Sequence, residues 1–123
     1  MKAIYIIIGV IFITYISYRT YRFATLDHGL SKRIENGAII LDVRTQSEYK
    51  TGHIDGSINI PLGAIHKKYI ELDNGKTYIT TCSHGLRSVK AEKILKEKGY
   101  KNVFNGGAWS DLEKIVIKKK RKN

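Results

Sequence analysis

Between Lys2 and Arg19 the chain runs for sixteen positions, AIYIIIGVIFITYISY, without a charged residue. A helix apolar on every side has no polar face to offer water, so it does not read as the cover of a soluble core. At ~1.5 Å per residue the run reaches about 24 Å as a helix. The hydrocarbon core of a bilayer is about 30 Å thick, so the run is slightly short. Lys2 and Arg19 can close the gap by snorkelling, and Tyr5, Tyr15, Tyr18 and Tyr21 suit the headgroup region. Residues 1–19 therefore read as one transmembrane anchor. The rival, a cleaved signal peptide, needs small residues ahead of its cleavage site, and TYISYRTYRFA offers no convincing pair. Lys2 and the amino terminus precede the run, whereas Arg19, Arg22, Lys32 and Arg33 follow it. By the positive-inside rule this expects a single-pass protein of the cell membrane with its domain in the cytoplasm, close to the bilayer.

Roughly a hundred residues remain for one modest core, placed at 20–117 and followed by a basic tail at 118–123. The net charge of +11 is uneven, with five basic residues in the run Lys118 to Lys122. Such a run is either a solvated end or a patch drawn to anionic membrane lipid. No aromatic residue interleaves with these lysines, so nucleic acid is not expected as a partner. The single cysteine, Cys82, makes neither an internal disulfide nor a CxxC pair, which favours a reducing compartment. The histidines (His28, His53, His66, His84) are scattered, and no metal site is expected.

The rest of the chain alternates between two periodicities. Leu26 to Asn36 reads as a short helix, with Thr25 as N-cap and Gly37 as stop. AIILDV (38–43) is a continuous β-branched apolar run of the kind that fills a buried parallel strand. SINI (57–60) is a second strand, closed by Pro61. Leu62 to Leu72 reads as helical, and Asp73-Asn74-Gly75 as a turn. TYITTC (77–82) is a third strand and ends on the cysteine. In the helix Arg87 to Lys98, Ala91, Ile94 and Leu95 share one face, and Gly99 stands at C′. NVF (102–104) is a further strand, Gly106-Gly107 a turn, and Trp109 to Ile117 a last helix. Strands alternating with helices give an α/β fold, a parallel sheet flanked by helices on both faces. Ligands of such sheets bind beyond the carboxyl ends of the strands, which is where Cys82 stands.

Cys82-Ser83-His84-Gly85-Leu86-Arg87-Ser88 joins that strand to the following helix. A loop entering a helix N-terminus turns backbone N–H groups inward, Gly85 permits the sharp turn, and Arg87 adds a permanent positive charge. This environment stabilises negative charge on whatever the sulfur holds. A lone cysteine at a strand end would otherwise be read as a buried structural residue. It is the glycine and arginine at these offsets that favour chemistry.

Three blocks together, LDVRTQSEYKTGHIDGSINIP (41–61), CSHGLRS (82–88) and GYKNVFNGG (99–107), make the chain from about Phe23 to Val116 resemble a single-domain rhodanese-like protein. The resemblance implies a sulfurtransferase with Cys82 and Arg87 as catalytic residues. Ser83, His84, Gly85, Leu86 and Ser88 complete a substrate-binding loop that cradles a persulfide through the amides of residues 83 to 87. The similar cysteine phosphatases space nucleophile and arginine one residue further apart, making a ring for phosphate. The implied reaction is ping-pong, from a small sulfane-sulfur donor such as thiosulfate to a thiol acceptor, with no cofactor. The alternative is a non-catalytic sulfur-relay or protein-interaction module held at a membrane. Asp42, Arg44 and Glu48 match the DVR region and read as structural support, with Glu48 placed to pair with Arg44. His53 reads as a hydrogen-bonding structural residue, and His84 as pointing to solvent. Trp109 stands closer to the glycine pair than is usual, and IVIKKKRKN replaces the usual glycine-proline ending, so both departures fall on the last helix.

Overall fold

The computed structural model describes residues 1–25 and 28–122, and it opens with a helix longer than the apolar run that seeds it. Helix α1 (Lys2–Thr25) continues past Arg19 through Arg22. Its 24 residues rise about 36 Å, and by length and composition it is a helix that can cross a membrane. Nothing in its apolar window is buried against the rest of the chain, and Ile4, Ile7, Val10 and Phe12 are each more than half exposed. The last turns of α1 meet the domain, where Tyr18 and Arg22 make contacts with it.

The four strands β1 (Ile39–Asp42), β2 (Ile58–Asn59), β3 (Tyr78–Cys82) and β4 (Val103–Ala108) form one parallel sheet in the order β2-β1-β3-β4. Successive side chains leave a strand on opposite faces, and the sequence fills both. Leu41, Val43, Tyr78 and Val103 pack on one face against Ala91, Ile94 and Leu95 of α5 (Leu86–Glu97) and Ile65 of α4 (Ile65–Lys68). Ile40 and Ile79 pack on the other against Leu30 of α2 (Leu30–Glu35) and Leu112 and Val116 of α6 (Trp109–Lys122). The expected parallel sheet with helices on both faces is the observed one. A further helix, the short α3 (Gln46–Thr51), leaves the carboxyl end of β1.

Helix α2 is shorter than its expected 26–36. It begins after Gly29, which takes a left-handed φ of 75°, while the expected start at residue 26 lies outside the described residues. Two helices stop on glycine as expected. Ala38 N–H reaches Arg33 O at 3.0 Å beyond Gly37, and Tyr100 N–H reaches Leu95 O at 3.0 Å beyond Gly99. Leu62 to Leu72 is not one helix, because 3₁₀ turns at Leu62–Ala64 and Tyr69–Glu71 flank the single turn α4.

Gly106-Gly107 is not a turn but a bulge inside β4. Thr80 faces Asn105 and Cys82 faces Ala108, so β4 carries one residue more than β3 over that interval. The bulge is internally satisfied, with Gly107 N–H donating to Asn105 Oδ1 at 3.0 Å and Thr81 Oγ1 donating to Gly107 O at 2.7 Å. A methyl group on Gly106 would lie 2.6 Å from Ile79 Cγ2, 2.9 Å from Leu112 and 2.9 Å from Thr80 O, so the sheet or α6 would have to shift to admit it. Helix α6 also runs past Ile117, keeping the lysine run helical through Lys122, with Lys119 paired to Glu35 at 3.1 Å.

Candidate active site

Cys82 is the last residue of β3 and stands at the carboxyl edge of the sheet. Its side chain is 1 % exposed and takes part in the core formed with α5. Gly85 adopts φ 89°, a left-handed conformation that costs glycine little, and so turns the chain directly into α5. That turn folds the loop back on the sulfur. Gly85 N–H donates to Sγ at 3.0 Å and Ser88 N–H donates to it at 3.4 Å. Sγ therefore sits on the amino end of a twelve-residue helix, where unpaired amides and the macrodipole favour negative charge. Ser88, rather than the 83–87 segment alone, supplies one of the two amides. Its hydroxyl is fully buried and makes no hydrogen bond among the described residues.

One arginine flanks this loop. Arg87, in the first turn of α5, closes a bidentate pair with Glu48, Nη1 to Oε1 at 2.8 Å and Nη2 to Oε2 at 2.9 Å, and Nη2 also donates to Ser83 Oγ at 2.7 Å. Glu48 is held from behind by a capping box at the start of α3. Thr45 Oγ1 accepts from Glu48 N–H, while Thr45 N–H and its hydroxyl donate to Oε1. Hydrogen bonding from Arg87, with smaller help from Thr45, holds the Glu48 carboxyl at about 2, well below its ordinary value, and the same contact raises Arg87.

The expected Arg44–Glu48 pair is not formed. Arg44 is buried and grips Asp42, with Nε 3.0 Å from both carboxylate oxygens and Nη2 at 2.7 Å. It reaches Glu48 only at the backbone carbonyl, 3.3 Å away, and donates to Gly52 O at 2.6 Å. The reason is geometric. The capping box turns the Glu48 side chain back over the start of α3, toward α5, and Arg44 finds Asp42 two residues before it. Trp109 lies against this network, its ring centre 4.7 Å from the Arg44 guanidinium. The early tryptophan of the last helix thus closes over the arginine.

His84 is exposed, as expected, and its Nδ1 lies 3.0 Å from Ser83 Oγ. His53 has a structural setting, stacked on Tyr49 at 3.8 Å with Nδ1 at 2.7 Å from Tyr49 O. Nothing in the sequence pattern signals that α1 reaches the loop. Tyr18 donates to His84 O at 3.3 Å, and Arg22 pairs with Asp111 at 3.1 Å while resting against Gly85. A cavity of about 200 Å³ lies behind the loop between Arg22, Phe23, Gly107 and Ile115. Periodicity carries no signal for this contact. The Glu48–Arg87 pair does have one, since Thr45-Gln46-Ser47-Glu48 is a capping-box sequence that fixes where Glu48 points.

The Rhodanese-like domain family matches residues 27–110 of the chain. The thiosulfate sulfurtransferase PspE of Escherichia coli is 34% identical over 80 residues, which cover 63% of this chain and 77% of that protein. A tRNA sulfurtransferase of Thermoplasma acidophilum is 36% identical over 98 residues, 79% of this chain but only 19% of the relative's length. Among solved structures, a rhodanese with anions from E. coli superposes with a TM-score of 0.57 at 34% identity, covering 61% of this chain and 91% of that one. A rhodanese-related protein from Thermoplasma volcanium gives 0.60 at 32%, covering 68% and 82%.

Proposed function

Because the chain belongs to the Rhodanese-like domain family of sulfurtransferases, we propose that it moves sulfane sulfur through a persulfide on Cys82, working from the cytoplasmic face of a membrane in which α1 is the anchor. The observation that carries this reading is the double N–H···S contact at the start of α5, from Gly85 and Ser88. With a donor such as thiosulfate, the Cys82 thiolate attacks the outer sulfur and a new S–S bond forms. The donor's own S–S bond breaks, and its electron pair leaves with sulfite. Amides at the helix mouth hold the Cys82–S–S⁻ charge. A thiolate acceptor then attacks the outer sulfur, takes it as its own persulfide, and returns the Cys82 thiolate.

Incubating the full chain in detergent with thiosulfate is expected to add the mass of one sulfur to Cys82, removable by reductant. Cys82→Ser is expected to take up none. No labile adduct from thiosulfate or from any organic polysulfide would refute transfer. If the cellular role survived Cys82→Ser, the relay or interaction module would be the correct reading.

A further inference from the structure

The cation closest in sequence to the sulfur is not free. Arg87 is the loop's own arginine, yet both nitrogens of its fork lie on Glu48, a residue of a different element. Glu48 is fixed by the Thr45 capping box, so it does not swing away at no cost. Side chains on both sides of the pair remain about one-third exposed, so a solute reaches the pair. Seen by an approaching donor, the rim beside Cys82 is a neutral ion pair, and an anion that seeks the two-nitrogen fork of Arg87 competes with Glu48 for it.

From this geometry we infer that Glu48 sets the donor selectivity of the site: it holds Arg87 in a neutral clasp and so disfavours doubly charged inorganic donors relative to neutral or singly charged organic persulfides and polysulfides. The inference rests on the sulfur-transfer reading above. Glu48 is a positioning residue, since it touches the arginine and not the sulfur. No proton or electron is exchanged at it, and the transfer step itself is unchanged. The depressed carboxyl keeps the clasp closed throughout the physiological range.

The test needs no turnover. Cys82 is the only thiol, so the ratio of its alkylation rates by iodoacetate and by iodoacetamide reports the charge beside it in the full chain. Glu48→Gln is expected to raise that ratio about three- to five-fold at low salt, the effect of removing one partly screened charge, and less at high salt. Glu48→Asp, which keeps the charge but shortens its reach, is expected to raise it by a smaller factor and covers the case in which Gln unfolds the chain. An unchanged ratio in the folded variants would overturn the clasp. In the transfer assay, Glu48→Gln is expected to lower KM for thiosulfate and leave kcat within about two-fold, with little change for a neutral trisulfide. Equal changes for both donors would likewise overturn it. A wild-type chain that alkylates as expected but takes sulfur from no donor would instead refute the sulfur-transfer reading and leave the clasp standing.

Discussion

Arg44 and Arg87 both touch Glu48, one at its backbone carbonyl and the other at its carboxylate, but their charges do different things. Arg44 is 3% exposed and neutralises an Asp42 that is itself fully buried. Removing one partner of such a pair strands the other charge, so Arg44→Ala is expected to cost about 3–5 kcal/mol by urea unfolding. Arg87 is on the surface side, and losing it leaves Glu48 unpaired in water. The expected change there is in chemistry, with Arg87→Ala cutting thiosulfate use more than neutral-donor use and Arg87→Lys failing to restore the two-armed contact. Equal losses for both donors would contradict that assignment. The sign of the pH effect follows from Glu48. Its folded carboxyl lies below the free value of 4.5, so its contribution is complete above that value and fades as pH falls toward about 2. The pair is partly exposed, so the contribution to stability is small. Donor selectivity is therefore expected to be flat with pH across the neutral range, as followed there by the alkylation ratio.

At the level of elements, the bulge in β4 decides how closely α6 and the active loop approach the sheet. Gly106→Ala is expected to destabilise the fold by about 1–3 kcal/mol, since the added methyl overpacks against Ile79 and Leu112. A melting temperature equal to wild type would contradict the tight contact. The two central strands and α5 are legible in sequence because each depends on local pattern. Ile39–Asp42 and Tyr78–Cys82 are continuous apolar or β-branched runs, and Ala91, Ile94 and Leu95 recur at helical spacing with Gly99 behind them. The glycine pair at 106–107 misleads for the opposite reason. Adjacent glycines mark a turn and a bulge equally well, and only the register with β3 distinguishes them. The same holds at the site. Cys82, Gly85 and Ser88 are neighbours in sequence and could be read as one loop, whereas the partner of Arg87 lies 39 residues away and is fixed by the packing of α3.

The whole molecule joins an unburied apolar helix to a domain whose reactive edge meets that helix's last turns. In the orientation proposed, a membrane-impermeant thiol reagent is expected to spare Cys82 in intact cells and to reach it after permeabilisation. The lysine-rich end is likewise expected to be protected from external protease. Labelling before permeabilisation would reverse the topology. The contacts of Tyr18 and Arg22 with the domain are exposed, so deleting residues 1–25 is expected to shift its unfolding by no more than about 1 kcal/mol. In the membrane placement proposed, burial of Cys82 has a consequence for copies crowded into two dimensions. An intermolecular disulfide requires two α-carbons within about 7 Å of each other. Two sulfurs each sunk at the foot of a loop, with 1% exposure, do not meet at that distance while the fold is intact. However densely the copies are packed, oxidants are expected to leave them uncoupled, as single-chain bands on a non-reducing gel. Only a reagent or partner slender enough to reach down to the helix mouth can join this sulfur covalently.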